Sequence, residues 1–307
     1  MSDMKHEHKI ARLYYLEGYS QTQIAKRLGI SVASVSRALG RAKEAGIVQI
    51  SIRSDDENFA ELETKIEQTY GLDECRITPA FEQVTNTYGA IARVLEDILP
   101  RRLPSHGTLG VSWGETLKAV AEQFYLSNGP MADAVPTVGA MGTIETGIYP
   151  NSIAKIFADK LGGRAFLVNA PVINDSADMA RQLSESRAFR PVREIWERID
   201  VALVGCSPVD RDASLARNAI FGDHEIEALQ RDGAASAVNF SFLRQDGSTL
   251  HSEIADRMLH IPLEAMRSFD QVILVAVGLH KKGAIQAALR SGTITSLVTD
   301  VAVAQAL

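Results

Sequence analysis

The sequence predicts an α/β protein in two parts: an N-terminal all-α, winged helix-turn-helix head and a larger C-terminal Rossmann-like α/β domain. Three observations predict it. In residues 1–53 apolar side chains recur at helical spacing and are interrupted by single glycines. From about Cys75 onward, short apolar strands alternate with amphipathic helices, the pattern of a layered domain with a largely parallel sheet. Charge divides near the same boundary. Residues 1–53 carry nine Lys/Arg against four Asp/Glu, and the remainder 23 against 34, in a chain of 307 residues with net charge -6. A basic head on an acidic body offers nucleic acid one surface and keeps the rest away from it.

Taken in order, Met4 to Gly18 places Ile10, Leu13, Tyr14 and Leu16 in a helical pattern that Gly18 can end. Gln21 to Arg41 then reads as a helix-turn-helix. Ile24, Ala25 and Leu28 share a face, Gly29 breaks the periodicity, and the Ser31 hydroxyl can cap a second helix. Val35, Ala38 and Leu39 face inward on that second helix, leaving Ala33, Ser34, Ser36, Arg37 and Arg41 outward. A small, polar and basic face admits a helix to a major groove, with Arg reaching a guanine edge or a phosphate. These five, with Gln21 at the start of the first helix and Arg53, are the expected DNA-binding residues. Arg53 belongs to a strand in which Val48, Ile50 and Ile52 alternate with polar residues; this reads as a wing beside the recognition helix or as a plain connecting strand.

The acidic SDDEN at 54–58 marks a boundary, giving a DNA-binding domain over 1–53 and a linker helix with an effector and oligomerisation domain over 54–307. Phe59, Leu62, Ile66 and Tyr70 give the linker helix an apolar stripe that is free to pair with a second copy, as a palindromic operator calls for. The expected strands beyond it are CRIT, TLGVS, PTVGAM, RAFLVNAP, DVALVG, AASAVNF, QVILVAVG and SLVTD, separated by helices, with a hairpin-like turn at Gln245 to Gly247.

Composition excludes several classes. Cys75 and Cys206 are the only cysteines and lie far apart, so neither a disulfide framework nor a zinc site is indicated. His6 and His8 read as a solvated tail. No apolar run has membrane-spanning length and the N-terminus lacks a signal-peptide core, so a cytoplasmic protein without metal or cofactor is expected.

Chemistry concentrates where strands run into helices, since ligands of open α/β sheets bind beyond the carboxyl ends of strands. Three such ends stand out. GVSWGET offers Ser112, Trp113, Gly114, Glu115 and Thr116, with helix-start amides aimed at an anion. VGAMGT offers Gly139, Ala140, Gly142 and Thr143, and GLHK offers His280 and Lys281, a positive charge for a phosphate or hydroxyl-rich ligand. Gly110, Ser112 and Gly114 also satisfy G-x-S-x-G, the elbow of serine hydrolases, with Asp210 or Asp270 and His280 in triad order. Residues 75–109 supply too few strands before the elbow for that fold.

With these motifs in place, the chain resembles the SorC family of bacterial transcription regulators, the sugar-binding branch of DeoR-like regulators, over nearly its whole length. The resemblance rests on YLEGYSQTQIAKRLGISVASVSRAL, GVSWGETL, VGAMG, NSIAKIFADKLGG, DVALVG and KKGAIQAALRSGTITSLVTD. It implies an effector domain similar to the sugar-phosphate isomerase fold of glucosamine-6-phosphate deaminase, working as a sensor, in a dimer or tetramer. It also implies ligand roles for Asn151 and Lys281 beside the two loops. Two departures stand out. The family's G-A-V-G-D-I is here Gly233 to Val238 with Ala237 where the carboxylate is expected, and Val277 replaces a glycine before Lys281. Asn239, His280 or Asp300 is left to take the carboxylate's place, or the ligand is smaller. The expected function is a regulator that binds operator DNA and senses a sugar, polyol or their phosphate. The alternative is a sugar-phosphate isomerase or deaminase with a DNA-binding head.

Overall fold

The computed structural model describes residues 2–48, 59–141, 149–211 and 221–307. It divides into two compact units, Met1–Glu57 and Asn58–Leu307. The wing residues Ile50, Ile52 and Arg53, and the loop residues Gly142 and Thr143, lie outside the described residues.

The first unit contains α1 (Ser2–Tyr15), α2 (Gln21–Leu28) and α3 (Val32–Glu44). Its core is small: Ile10, Ala11, Leu13, Ile24, Ala25, Val35, Ala38, Leu39 and Ala42 are buried together. Capping fixes the ends of α2 and α3. Ser20 Oγ accepts from the Gln23 amide at 3.3 Å while Gln23 Oε1 accepts from the Ser20 amide at 2.8 Å, a reciprocal capping box. Gly29 closes α2 in the left-handed region, and Ser31 Oγ accepts from the Ser34 amide at 3.1 Å to open α3.

In the second unit, helices α4 (Ala60–Tyr70), α5 (Val84–Arg102), α6 (Glu115–Gln123), α7 (Pro150–Leu161), α8 (Ala177–Glu185), α9 (Arg190–Trp196), α10 (Asp223–Arg231), α11 (Glu253–Asp256), α12 (Lys282–Arg290) and α13 (Val301–Ala304) accompany ten strands. The strands are β1 (Glu74–Thr78), β2 (Thr108–Val111), β3 (Ala132–Pro136), β4 (Gly162–Ala165), β5 (Val201–Val204), β6 (Cys206–Ser207), β7 (Ser236–Val238), β8 (Ser241–Leu243), β9 (Gln271–Ala276) and β10 (Ser296–Asp300). Seven form one parallel sheet in the order β1-β10-β9-β5-β2-β3-β4, and β6-β7-β8 form a small antiparallel sheet.

Helices cover both faces of the parallel sheet, which is why its interior strand QVILVA is buried at every position. Alternation along β9 separates the two cores. Val272, Leu274 and Ala276 join a layer with residues of α12, while Ile273 and Val275 join another with α5, α6 and α7.

The linker helix packs on its own unit. Its stripe packs against the body's own core, with Ile66 buried and Phe59, Leu62 and Tyr70 half-buried. Its carboxylates also finish the sheet edge. Glu67 Oε1 accepts from the Cys75 amide at 2.7 Å and Glu63 Oε1 from the Ile77 amide at 2.8 Å. Glutamates one helical turn apart thereby satisfy the amides that edge strand β1 turns away from β10.

Two strands begin earlier than expected. PTVGAM follows β3, which is ADAVP, and RAFLVNAP overlaps only the end of β4. The residues beyond β3 make isolated bridges instead, Val138 to His260 and Ala140 to Pro171. AASAVNF is half of a tight hairpin: β7 and β8 are joined through Asn239 and Phe240, both with positive φ, at 51° and 63°. Positive φ at both central positions is the geometry of a type I′ turn, whose usual Asn-Gly signature is missing at the second position. The turn near Gln245 to Gly247 is also present, closed by the Gly247 amide to the Arg244 carbonyl at 2.9 Å.

Candidate functional site

On α3, Ala33, Ser36 and Arg37 are exposed. Ser34 is half-buried and bonds Ser31 Oγ through its own hydroxyl at 2.8 Å. Arg41 is turned partly toward its own unit: its Nε donates to Glu7 Oε1 at 2.5 Å, and Glu7 is buried. A salt bridge between α1 and the end of α3 therefore holds a guanidinium that the sequence assigned to DNA. Gln21 sits half-buried at the first position of α2. Together the outward residues form a compact, polar face on a helix that both a cap and a core hold in place.

The second site forms where the parallel sheet changes direction. From β2 the chain steps outward through β3 to β4, whereas β5 lies on β2's other side and leads to β9 and β10. Such a switch point opens a crevice at the carboxyl ends of its strands. Here a cleft of about 470 Å³, part of it open to solvent, is lined by Ser112 to Leu117, Gly205 to Ser207, Ala237, Asn239, Phe240 and Lys281.

Gly114 opens α6 at φ 128° and ψ 160°, a conformation that a side chain would strain, and no side chain caps the helix's first amides. Lys281 Nζ donates to Thr116 Oγ1 at 3.3 Å, so the charge ending β9 lies against the start of α6. The Gly278 amide donates to Asp300 Oδ2 at 3.1 Å, holding the Lys281 loop to the end of β10. Burial and the Glu115 charge push the nearby Tyr88 phenol above its ordinary value, with a Thr116 hydrogen bond opposing them. Cys206 is pushed up to about 11 by burial, with Lys281 pulling the other way, so its thiol is protonated at neutral pH. Trp113 and Phe240 stack at 5.0 Å between ring centroids and 13° between planes.

Of the expected ligand residues, Ser112, Trp113, Gly114, Glu115, Thr116, Asn239 and Lys281 meet in this cleft. Asn239 brings a committed amide: its Oδ1 accepts from Thr137 Oγ1 at 2.6 Å and its Nδ2 donates to the Ile261 carbonyl at 2.8 Å. Asp300 is likewise engaged, taking the Gly278 amide on one oxygen and the Val303 amide, at 3.0 Å, on the other. Asn151 bonds the Val168 backbone through both ends of its amide, at 3.1 and 2.9 Å, outside the cleft lining. His280 is exposed beside the Lys281 turn.

Ala140 pairs with the 170–172 segment, while the Gly139 amide donates to the Leu259 carbonyl at 2.8 Å. A Cβ on Gly139 would meet the Val172 backbone at 2.7 Å, so close packing explains this glycine. The reading missed Gly205, Cys206, Ser207 and Phe240 as cleft residues. One signal was present, because Gly205 ends DVALVG, a strand already recognised.

The Asp270 form of the hydrolase constellation is not assembled. Asp270 precedes β9 and so stands at the amino end of the parallel sheet, whereas Ser112 follows β2 at its carboxyl end.

Comparison with known proteins extends this picture. Residues 54–307 match the Sugar-bind family of sugar-binding domains, and residues 8–45 match the region 4 family of sigma-70 factors. The deoxyribonucleoside regulator of Bacillus subtilis is 30% identical over 301 residues, covering 97% of this chain and 95% of that protein. The erythritol catabolism regulatory protein of Brucella abortus is 26% identical, covering 97% and 95%. Among solved structures, the full-length sorbitol operon regulator of Klebsiella pneumoniae superposes with a TM-score of 0.77 at 28% identity, covering 99% of this chain and 98% of that one.

Proposed function

The chain belongs to the SorC family of sugar-binding transcription regulators, and from that premise we propose that α3 reads operator DNA while the cleft beyond β2, β5 and β9 holds a phosphorylated sugar or polyol. In this reading residues 1–53 form the DNA-binding domain and residues 54–307 the linker, effector and oligomerisation domain. Relatives named as regulators along 97% of the chain favour this over the isomerase or deaminase alternative.

One observation carries the ligand reading: Lys281 lies 3.3 Å from Thr116, at the uncapped start of α6. A phosphate seated there receives a point charge, backbone amides and hydroxyls together. Ser112 and Thr116 supply the hydroxyls and Gly114 the close approach of backbone. On the DNA side, Arg37 contacts a base edge or phosphate, and Gln21 at the start of α2 a phosphate. A paired operator calls for a homo-oligomer, a dimer or tetramer. The described residues contain no helix long and apolar enough to cross a membrane, which suits a cytoplasmic regulator.

A thermal-shift panel of pentoses, hexoses, polyols and their phosphates tests the cleft, because whatever binds the folded state stabilises it by mass action. Phosphate esters are expected to raise the melting temperature of the native protein and to lose that effect in Lys281→Ala. Equal stabilisation by the unphosphorylated sugars, or an undiminished response in Lys281→Ala, contradicts the phosphate reading. Product formation from any ester returns the enzyme to consideration.

A further inference from the structure

A short series of elements joins the cleft to the linker helix; this step rests on the cleft being the effector site. The turn carrying Lys281 follows β9, β9 pairs with β10, β10 pairs with β1, and β1 bonds α4. Both ends of the series are fastened by carboxylates.

At the cleft end the carboxylate is Asp300, buried at the last position of β10. One oxygen takes the Gly278 amide at 3.1 Å, just ahead of Lys281, and the other takes the Val303 amide at 3.0 Å. Asp300 also stands in register with Thr78, the last residue of β1. A shift of the Lys281 turn around a ligand therefore pulls on the end of β10 through a charge-assisted bond.

At the other end are Glu63 and Glu67, half-buried on α4. They accept from the Ile77 and Cys75 amides at 2.8 and 2.7 Å. The spacings match: four residues of helix rise about 6 Å and two residues of strand about 6.6 Å, so both bonds form together at only one axial setting of α4 on β1. Apolar packing of Phe59, Leu62, Ile66 and Tyr70 is without direction and tolerates a slide, whereas hydrogen bonds do not.

We propose that Asp300 and the pair Glu63 and Glu67 are positioning residues for the effector response. Strands β10 and β1 carry a shift of the Lys281 turn toward α4, and the two glutamates make α4 move with β1 instead of sliding over it. None of the three lines the cleft. They act through the strands between them, and such a route carries coupling only if breaking it changes the coupling energy.

Fluorescence anisotropy of the full-length protein on a labelled fragment from upstream of its own gene, paired with calorimetry of ester binding, tests this. The ester is the tightest binder among ribose 5-phosphate, 2-deoxyribose 5-phosphate, fructose 6-phosphate and sorbitol 6-phosphate. In the native protein it should change DNA affinity by about 5- to 150-fold. In Glu63→Ala with Glu67→Ala it should bind within about twofold of native, while its effect on DNA affinity falls to about twofold or less. Asp133→Asn weakens a bond to the Arg164 amide at the opposite edge of the sheet and should keep the native response, which separates lost coupling from lost stability. Where the alanine pair does not fold, Glu63→Gln with Glu67→Gln carries the test, its response falling at least about threefold. A native-sized response in the paired variant, an equal loss in Asp133→Asn, or DNA affinity that the ester leaves unchanged in the native protein overturns the proposal and leaves the phosphate site standing. So does a loss of ester binding in the alanine pair. Failure of all four esters to bind the native protein overturns the phosphate reading itself, and the proposal with it.

Discussion

The two working regions of this protein are built on opposite plans. The helix proposed to face DNA is made within one stretch: Ser20 caps α2, Ser31 caps α3, and Ile24 and Val35 join a core of nine buried apolar side chains among the described residues. The cleft draws on residues around Ser112, Gly205 and Lys281, which the sheet order β9-β5-β2 brings together, and on Ala237 from the small antiparallel sheet. The cleft residues that follow β2, β5 and β9 sit on a sheet buried on both faces, so that part of the site can lose chemistry without losing its fold. The head has little core to spare, so its function and its stability are hard to separate.

Core truncation probes that contrast with the largest expected effect. Ile24→Ala should cost the head about 2–5 kcal/mol, the usual range for a fully buried isoleucine. Circular dichroism should show an early loss of helix and gel shifts a loss of DNA binding, while ligand titration of the cleft is unchanged. Loss of ligand binding in this variant would mean that the two regions do not stand apart.

Acid should act on the body rather than the head. Burial lowers the His260 pKa to about 4 from an ordinary 6.5, against a backbone hydrogen bond with Met258 that raises it. The unfolded chain then takes up a proton below about pH 6.5 that the folded body refuses until about pH 4. Stability should fall as pH drops through that window, by up to about 3 kcal/mol, and level off below it. Urea melts of native protein and His260→Gln across pH 4–7 check this, the variant being expected to show a flatter profile.

Lys281→Ala should weaken phosphate-ester binding by roughly 10- to 100-fold, the scale of a lost charge-assisted hydrogen bond, with the melting temperature of the unliganded protein nearly unchanged. Arg37→Ala should weaken operator binding by about 1–3 kcal/mol in a gel-shift series and leave ester binding alone. Smallest of all, Glu63→Gln with Glu67→Gln should cost about 1 kcal/mol, since each amide side chain retains an oxygen that can still accept from β1 but without charge. Urea denaturation measures it.

The contrast also explains what was legible in the sequence. Caps, glycine stops and helical periodicity are local, so the head could be read residue by residue, apart from Arg41, whose partner Glu7 lies 34 positions away. The glycine-rich strand ends and Lys281 were legible as separate hints, because strand-to-helix turns carry their own signature. Their convergence was not, since it depends on which strands are neighbours. The β7–β8 turn was missed because Phe240 occupies a left-handed position normally signalled by glycine, and the packing of the linker stripe on its own unit was not legible because an apolar face does not say what it will pack against. Asn239 and Asp300 looked like ligand groups by residue type, yet long-range hydrogen bonds had already claimed them.

A ligand-responsive regulator couples its two regions, which requires an effector to bind one DNA-binding state better than another. Fluorescence anisotropy of a labelled DNA fragment from upstream of the protein's own gene, titrated with and without the sugar phosphate giving the largest thermal shift, measures that difference. The account predicts a DNA affinity changed by about 5- to 150-fold in the native protein and unchanged by the effector in Lys281→Ala. Superimposable isotherms with and without effector in the native protein, or an equal response in Lys281→Ala, would contradict it.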